Sequence, residues 1–151
     1  MLAVAELAEL LLGVSIMEAM PATDPALLRL VSSTAYPGLR LLVLFGSRAR
    51  DEAGADADWD FGYVSANDFR PDRLLIDLPL AVKSDRVDLV DLTRAGGLLR
   101  YRAARDARVF FESPAGQFQR FWVEAVSFWC DAGPVLERAY AGVLARLGAQ
   151  R

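Results

Sequence analysis

A single α/β domain, with a small sheet set among helices, is predicted by three observations. Leu39–Phe45, Asp58–Val64 and Arg86–Leu92 are short apolar runs with strand character. Before, between and after them stand segments whose apolar residues recur at helical spacing. The length of 151 residues fits one domain on the usual scale of roughly 100 to 200 residues. Within 1–151 the expected order is N-terminal helices over 1–36, the sheet over 37–112 and C-terminal helices over 115–148.

Taken in order, Leu7, Leu10, Leu11, Val14 and Met17 lay an apolar stripe on an amphipathic helix, which packs on the domain or on another chain. Glu6, Glu9 and Glu18, with no basic start, set this segment apart from a signal peptide. Asp24 and Pro25 give an N-cap and first helical position for a second helix running to about Ser33. Tyr36, Pro37 and Gly38 then turn into the first strand. Arg48 to Ala57 reads as a short helix or loop ahead of the second strand. Asp72 to Ser84 keeps helical spacing, but Pro79 argues against a full-length helix there. After the third strand, Leu98 to Ala107 reads as an arginine-rich helix and Val109 to Glu112 as a short extended segment. From Gln117 to about Cys130, Phe118, Phe121, Trp122, Ala125, Phe128 and Trp129 follow helical spacing. That helix either packs on the sheet or offers a binding face. Asp131 to Pro134 is expected to break it, leaving Val135 to Leu147 as a last helix.

Composition removes several function classes. A net charge of -3 argues against a general nucleic-acid binder, because phosphate backbones call for clustered Lys and Arg. No apolar run approaches the roughly 20 residues needed to cross a bilayer, so a soluble chain without a membrane partner is expected. Cys130 is the one cysteine, which excludes an intrachain disulfide and makes the cytoplasm the default location. Apolar residues reach 54%, through an alanine-rich composition or through an apolar surface covered by a partner or oligomer. Histidine is absent, which removes histidine acid/base catalysis, Ser-His triads and His-ligated zinc. Carboxylates remain as ligands for a hard metal.

The chemistry centres on Gly46 and Ser47, then ten residues, then Asp58, Trp59 and Asp60. A strand ending on Gly-Ser and leading into a helix offers backbone N–H groups and a hydroxyl to a phosphate. Residues two apart on a strand share a face, so Asp58 and Asp60 leave one side while Trp59 and Phe61 leave the other. With Asp88 on a neighbouring strand they form a three-carboxylate set for two Mg²⁺ ions, spaced about 3.5 to 4 Å in such sites. A nucleoside triphosphate would complete the coordination with its phosphate oxygens. Asp88 would then accept the proton of an attacking hydroxyl. Taken alone, the same aspartates fit an ordinary half-exposed strand with polar residues outward. Arg48 and Arg50 would steady the triphosphate or lie solvated at a helix start. Asp85 and Asp91 read as solvated or turn-capping, with Asp91 on the face opposite Asp88.

Gly46-Ser47, the ten-residue spacer, Asp58-Trp59-Asp60 and Val87-Asp88-Leu89 together resemble the minimal nucleotidyltransferase (MNT) group of the polymerase-β-like nucleotidyltransferase superfamily. The resemblance extends over roughly Pro37 to Leu147. It implies a small α/β (α+β) domain with a mixed β-sheet flanked by helices, and transfer of AMP from ATP with release of pyrophosphate. It further implies Mg²⁺ on Asp58, Asp60 and Asp88, and nucleotide phosphates on Gly46 and Ser47, with Arg48 and Arg50 beside them. The MNT group is similar to the antitoxin half of HEPN–MNT pairs, in which AMP is added to a tyrosine of a HEPN RNase. A toxin-masking module without catalysis, and transfer to a small molecule such as an aminoglycoside, are the alternatives. Asp51 and Ala57 depart from the group's usual Gly and Ser. Asp51 in particular brings negative charge near the triphosphate.

Overall fold

The computed structural model describes residues 36–148, so both predicted helices before Tyr36 lie outside the described part. Eight elements follow one another. They are β1 (Leu39–Phe45), α1 (Gly46–Ala49), β2 (Trp59–Ser65), α2 (Asp72–Val82), β3 (Val87–Asp91), α3 (Gly97–Asp106), β4 (Arg108–Glu112) and α4 (Gln117–Gly148).

The strands form one mixed sheet in the order β3-β2-β1-β4. β1 runs antiparallel to both β2 and β4, whereas β2 and β3 are parallel and joined through α2. β1 is buried along nearly its whole length, which explains its continuous apolar run where an edge strand would alternate. Its side chains divide between two cores. Leu42 and Leu44 join Phe61, Tyr63, Leu74 and Leu78 on the side covered by α2. Leu41, Val43 and Phe45 join Leu92, Ala103, Ala104, Phe121 and Trp122 on the side covered by α3 and α4. Where the described chain begins, Tyr36 donates its hydroxyl to Asp77 Oδ2 on α2. Burial above all, with Asp77 beside it, pushes that phenol well above its ordinary value.

Two prolines are absorbed inside helices. α2 runs through Pro79 to Val82 and closes on Lys83 in the left-handed conformation. The carbonyl that Pro79 deprives of a donor belongs to Leu75, an exposed residue within reach of water. The predicted break at 131–134 is also missing, since α4 continues from Gln117 to Gly148 with Pro134 inside. There the deprived carbonyl belongs to exposed Cys130, and Arg138 Nε donates to the Pro134 carbonyl at 3.0 Å. Most of the aromatic stripe of α4 packs into the core. Phe121, Trp122, Ala125 and Val126 are buried, and Trp129 stacks on Tyr101 of α3 at 5.4 Å between centroids. Phe128 alone of the aromatics named on this helix points largely into solvent, with 53% of its surface exposed. Among the described residues no helix is long and apolar enough to cross a membrane.

Candidate active site

The predicted residues come together at the end of the sheet where β1 finishes and β2 and β3 begin. β2 alternates as its sequence dictates. Phe61 enters the α2-side core with Trp59 packed against it, which leaves Asp60 on the opposite side, facing α3 and α4. Asp60 and Asp88 are register partners on the parallel strands β2 and β3, so the two carboxylates leave the same face side by side. Asp58 stands just before β2, exposed, and near enough for its charge to act on Asp60. Burial, followed by the charges of Asp88 and then Asp58, pushes the Asp60 carboxyl above its usual range, with Arg50 acting in the other direction. A site in which anionic neighbours raise a carboxyl is a site that a cation would relieve.

Gly46 brings the end of β1 against this cluster. Its φ is +74°, and a Cβ built there would lie 2.4 Å from Asp60 Oδ2. The backbone conformation therefore favours glycine, and a side chain here would displace the Asp60 carboxylate. Ser47 follows in α1, half-buried.

The three aspartates lie near one another without closing into a cage. Among the described residues no three acidic or thiol side chains are drawn together tightly enough to hold a metal ion by themselves. This openness suits Mg²⁺, which is held by one or two carboxylates together with substrate phosphates and water. The donor set is all oxygen and carries negative charge that needs neutralising, so the residues fit the ion.

The two arginines expected at the triphosphate have other partners. Arg48 donates to the Ala57 carbonyl and lies over the Trp59 ring, 4.4 Å from its centroid. Arg50 bridges Glu52 at 2.7 Å and Asp106 at 2.6 Å. Asp51, whose charge was expected to oppose a triphosphate, is paired with Arg108. It adopts φ +58° two residues past the end of α1. Asp85 is exposed as expected, and Asp91 caps a turn by accepting the Thr93 N–H at 2.9 Å.

Asp106 and Arg86 were not singled out from the sequence. The Asp106 side chain is 5% exposed and receives both Arg50 and Arg105, locking the end of α3 to the residue after α1. Arg86 donates to the Asp56 carbonyl in the loop ahead of Asp58. Both pairings join residues at least thirty positions apart, and no local pattern marks them.

The family pattern described as polymerase beta, nucleotidyltransferase, matches residues 33–115. The chain belongs to this family. The nucleotidyltransferase is 35% identical over 101 residues to protein adenylyltransferase MntA of Aphanizomenon flos-aquae (strain 2012/KM1/D3), across 58% of this chain and 67% of the relative. Among solved structures, a toxin–antitoxin with AMP-PNP superposes with a TM-score of 0.61 at 21% identity, covering 78% of this chain and 98% of that one. The toxin–antitoxin MntA–HepT superposes with a TM-score of 0.54 at 21% identity, over 78% and 96% of the two chains. These likenesses show the fold: a mixed four-stranded sheet with flanking helices, as the family resemblance implied.

Proposed function

We propose that this nucleotidyltransferase moves AMP from ATP to a tyrosine of a cognate HEPN-family RNase and thereby acts as its antitoxin. The observation that carries the reading is the in-register pair Asp60 and Asp88, with Asp60 against the Gly46 backbone where a Cβ would meet its carboxylate. Family membership supplies the reaction class, and the adenylyltransferase relative points to a protein as acceptor.

The roles follow from position. Asp58, Asp60 and Asp88 would hold Mg²⁺, which when bound neutralises phosphate charge and lowers the pKa of the attacking hydroxyl. The backbone after β1, at Gly46 and Ser47, would receive the β- and γ-phosphates. Arg50, already within electrostatic reach of Asp60, would add positive charge beside them. The tyrosine oxygen attacks the α-phosphorus of ATP, the bond to the bridging oxygen breaks, and pyrophosphate leaves with that electron pair. Asp88 is exposed at the start of β3 and stands where it can take the phenolic proton.

Mixing the chain with its HEPN partner, Mg²⁺ and ATP labelled at the α-phosphate tests this directly. Label on the HEPN chain is expected. Neutralisation of the RNase without label would instead establish masking.

A further inference from the structure

Two arginines outside the carboxylate set grip one short segment, the loop that delivers Asp58. Arg48, on α1, sends Nε to the Ala57 carbonyl at 3.0 Å and Nη2 to the same oxygen at 2.6 Å, with a longer contact of 3.4 Å to the Ala55 carbonyl. Arg86, just before β3, donates to the Asp56 carbonyl, and its own carbonyl accepts the Trp59 N–H at 2.9 Å. Three successive loop carbonyls, which belong to no helix or strand, are thus satisfied by guanidinium groups anchored on opposite sides of the loop. The Arg48 plane also covers the Trp59 ring, and Trp59 stacks on fully buried Phe61 with ring planes 4° apart.

We propose that Arg48, assisted by Arg86, is a positioning residue for Asp58. It holds the peptide that enters Asp58 from one side and the ring that follows it from the other, so that this exposed carboxylate meets the metal without first paying to order the loop. A planar fork can bond a carbonyl and lie on an aromatic ring at once, whereas an ammonium cannot do both. The Arg48 nitrogens committed to the Ala57 carbonyl set this role apart from that of a direct phosphate ligand. The inference rests on the proposed metal-binding role of Asp58.

The test compares wild-type chain with Arg48→Lys, Arg48→Ala and Asp58→Asn. Mn²⁺ binding is followed by electron paramagnetic resonance, kcat and the ATP KM at saturating Mg²⁺ are measured, and hydrogen exchange is read over 51–58. Both Arg48 variants should weaken Mn²⁺ binding about tenfold or more, the scale on which ligand-orienting residues act. They should also lower kcat, leave the ATP KM within about twofold, and quicken exchange in the loop, with Lys failing to restore the wild-type values. Arg48→Lys keeps the charge and the aliphatic stem, so it remains informative if Arg48→Ala does not fold. A raised ATP KM with unchanged Mn²⁺ affinity, rescued by Lys, would overturn the proposal in favour of a phosphate ligand. Wild-type values throughout would overturn it as well. Mn²⁺ binding that is indifferent to Asp58→Asn would instead remove the metal reading itself, and this inference with it.

Discussion

Gly46→Ala is the substitution whose cost can be worked most fully from the structure. The residue has φ +74°, so any L side chain there incurs the left-handed penalty of about 1 to 2 kcal/mol. The new Cβ would also lie 2.4 Å from Asp60 Oδ2, and the carboxylate must retreat by roughly an ångström to regain ordinary contact. For a chain of 151 residues the backbone penalty corresponds to a fall of about 2 to 8 °C in Tm. An ångström of misplacement at a reacting group is worth about 100-fold in rate. Thermal unfolding and the rate of AMP transfer therefore give separate readings. The expected variant is folded at 25 °C, modestly less stable, and about 100-fold slower. Pairing it with Asp60→Ala should remove the clash and leave only the backbone penalty in the stability measurement. A Gly46→Ala protein that is destabilised yet transfers AMP at the wild-type rate would refute the contact between this backbone and a working Asp60. One that is as stable as wild type would refute the conformational argument.

Other perturbations follow from the same geometry. Asp58→Asn with Asp60→Asn should abolish Mg²⁺-dependent transfer without loss of Tm, because relieving a carboxyl raised by burial and by its anionic neighbours costs the fold nothing; residual transfer would sink the ligand assignment. At Asp106 burial pushes the carboxyl up, but the guanidiniums of Arg105 and Arg50 together outweigh it and hold the group below its ordinary value. A carboxyl depressed in the folded state stabilises above its unfolded pKa, and that contribution is lost as pH falls through the folded value. Urea unfolding from about pH 6 to pH 3 should show wild type losing its advantage over Asp106→Asn only at the acid end; parallel curves would count against the ion pairs. Trp122→Ala should cost about 3 to 5 kcal/mol as a buried aromatic, whereas exposed Phe128→Ala should cost far less. Equal losses in chemical denaturation would contradict the burial pattern of α4.

Much of this arrangement was legible before any coordinates. The period-two alternation of Trp59, Asp60 and Phe61 fixed which side chains meet the core, and the structure keeps that division. The Gly46-Ser47 turn and the Asp88 strand were readable because each depends on a few adjacent residues. The continuity of α2 and α4 was not. Pro79 and Pro134 are local breakers, and their tolerance depends on whether the carbonyl four residues back is exposed, which only the packed chain decides. The pairings of the arginines were not legible for a related reason. Arg48 and Arg50 are near the phosphate end in sequence, but their hydrogen bonds go to Ala57 and Asp106. Asp51 pairs with Arg108 of β4, a partner that no neighbouring residue announces. Long-range charge pairing leaves no periodic signature, so residues of this kind emerge only once the sheet order is known.

The central claim is that a HEPN partner is inactivated by covalent transfer of AMP. The most direct measurement treats that RNase with this chain, Mg²⁺ and ATP, removes the chain completely, and then assays ribonuclease activity and the intact mass of the RNase. Catalysis predicts an RNase that stays inactive and carries AMP on a tyrosine, with no such change when Asp58→Asn and Asp60→Asn are present together. An RNase of unmodified mass that regains full activity on separation would contradict it.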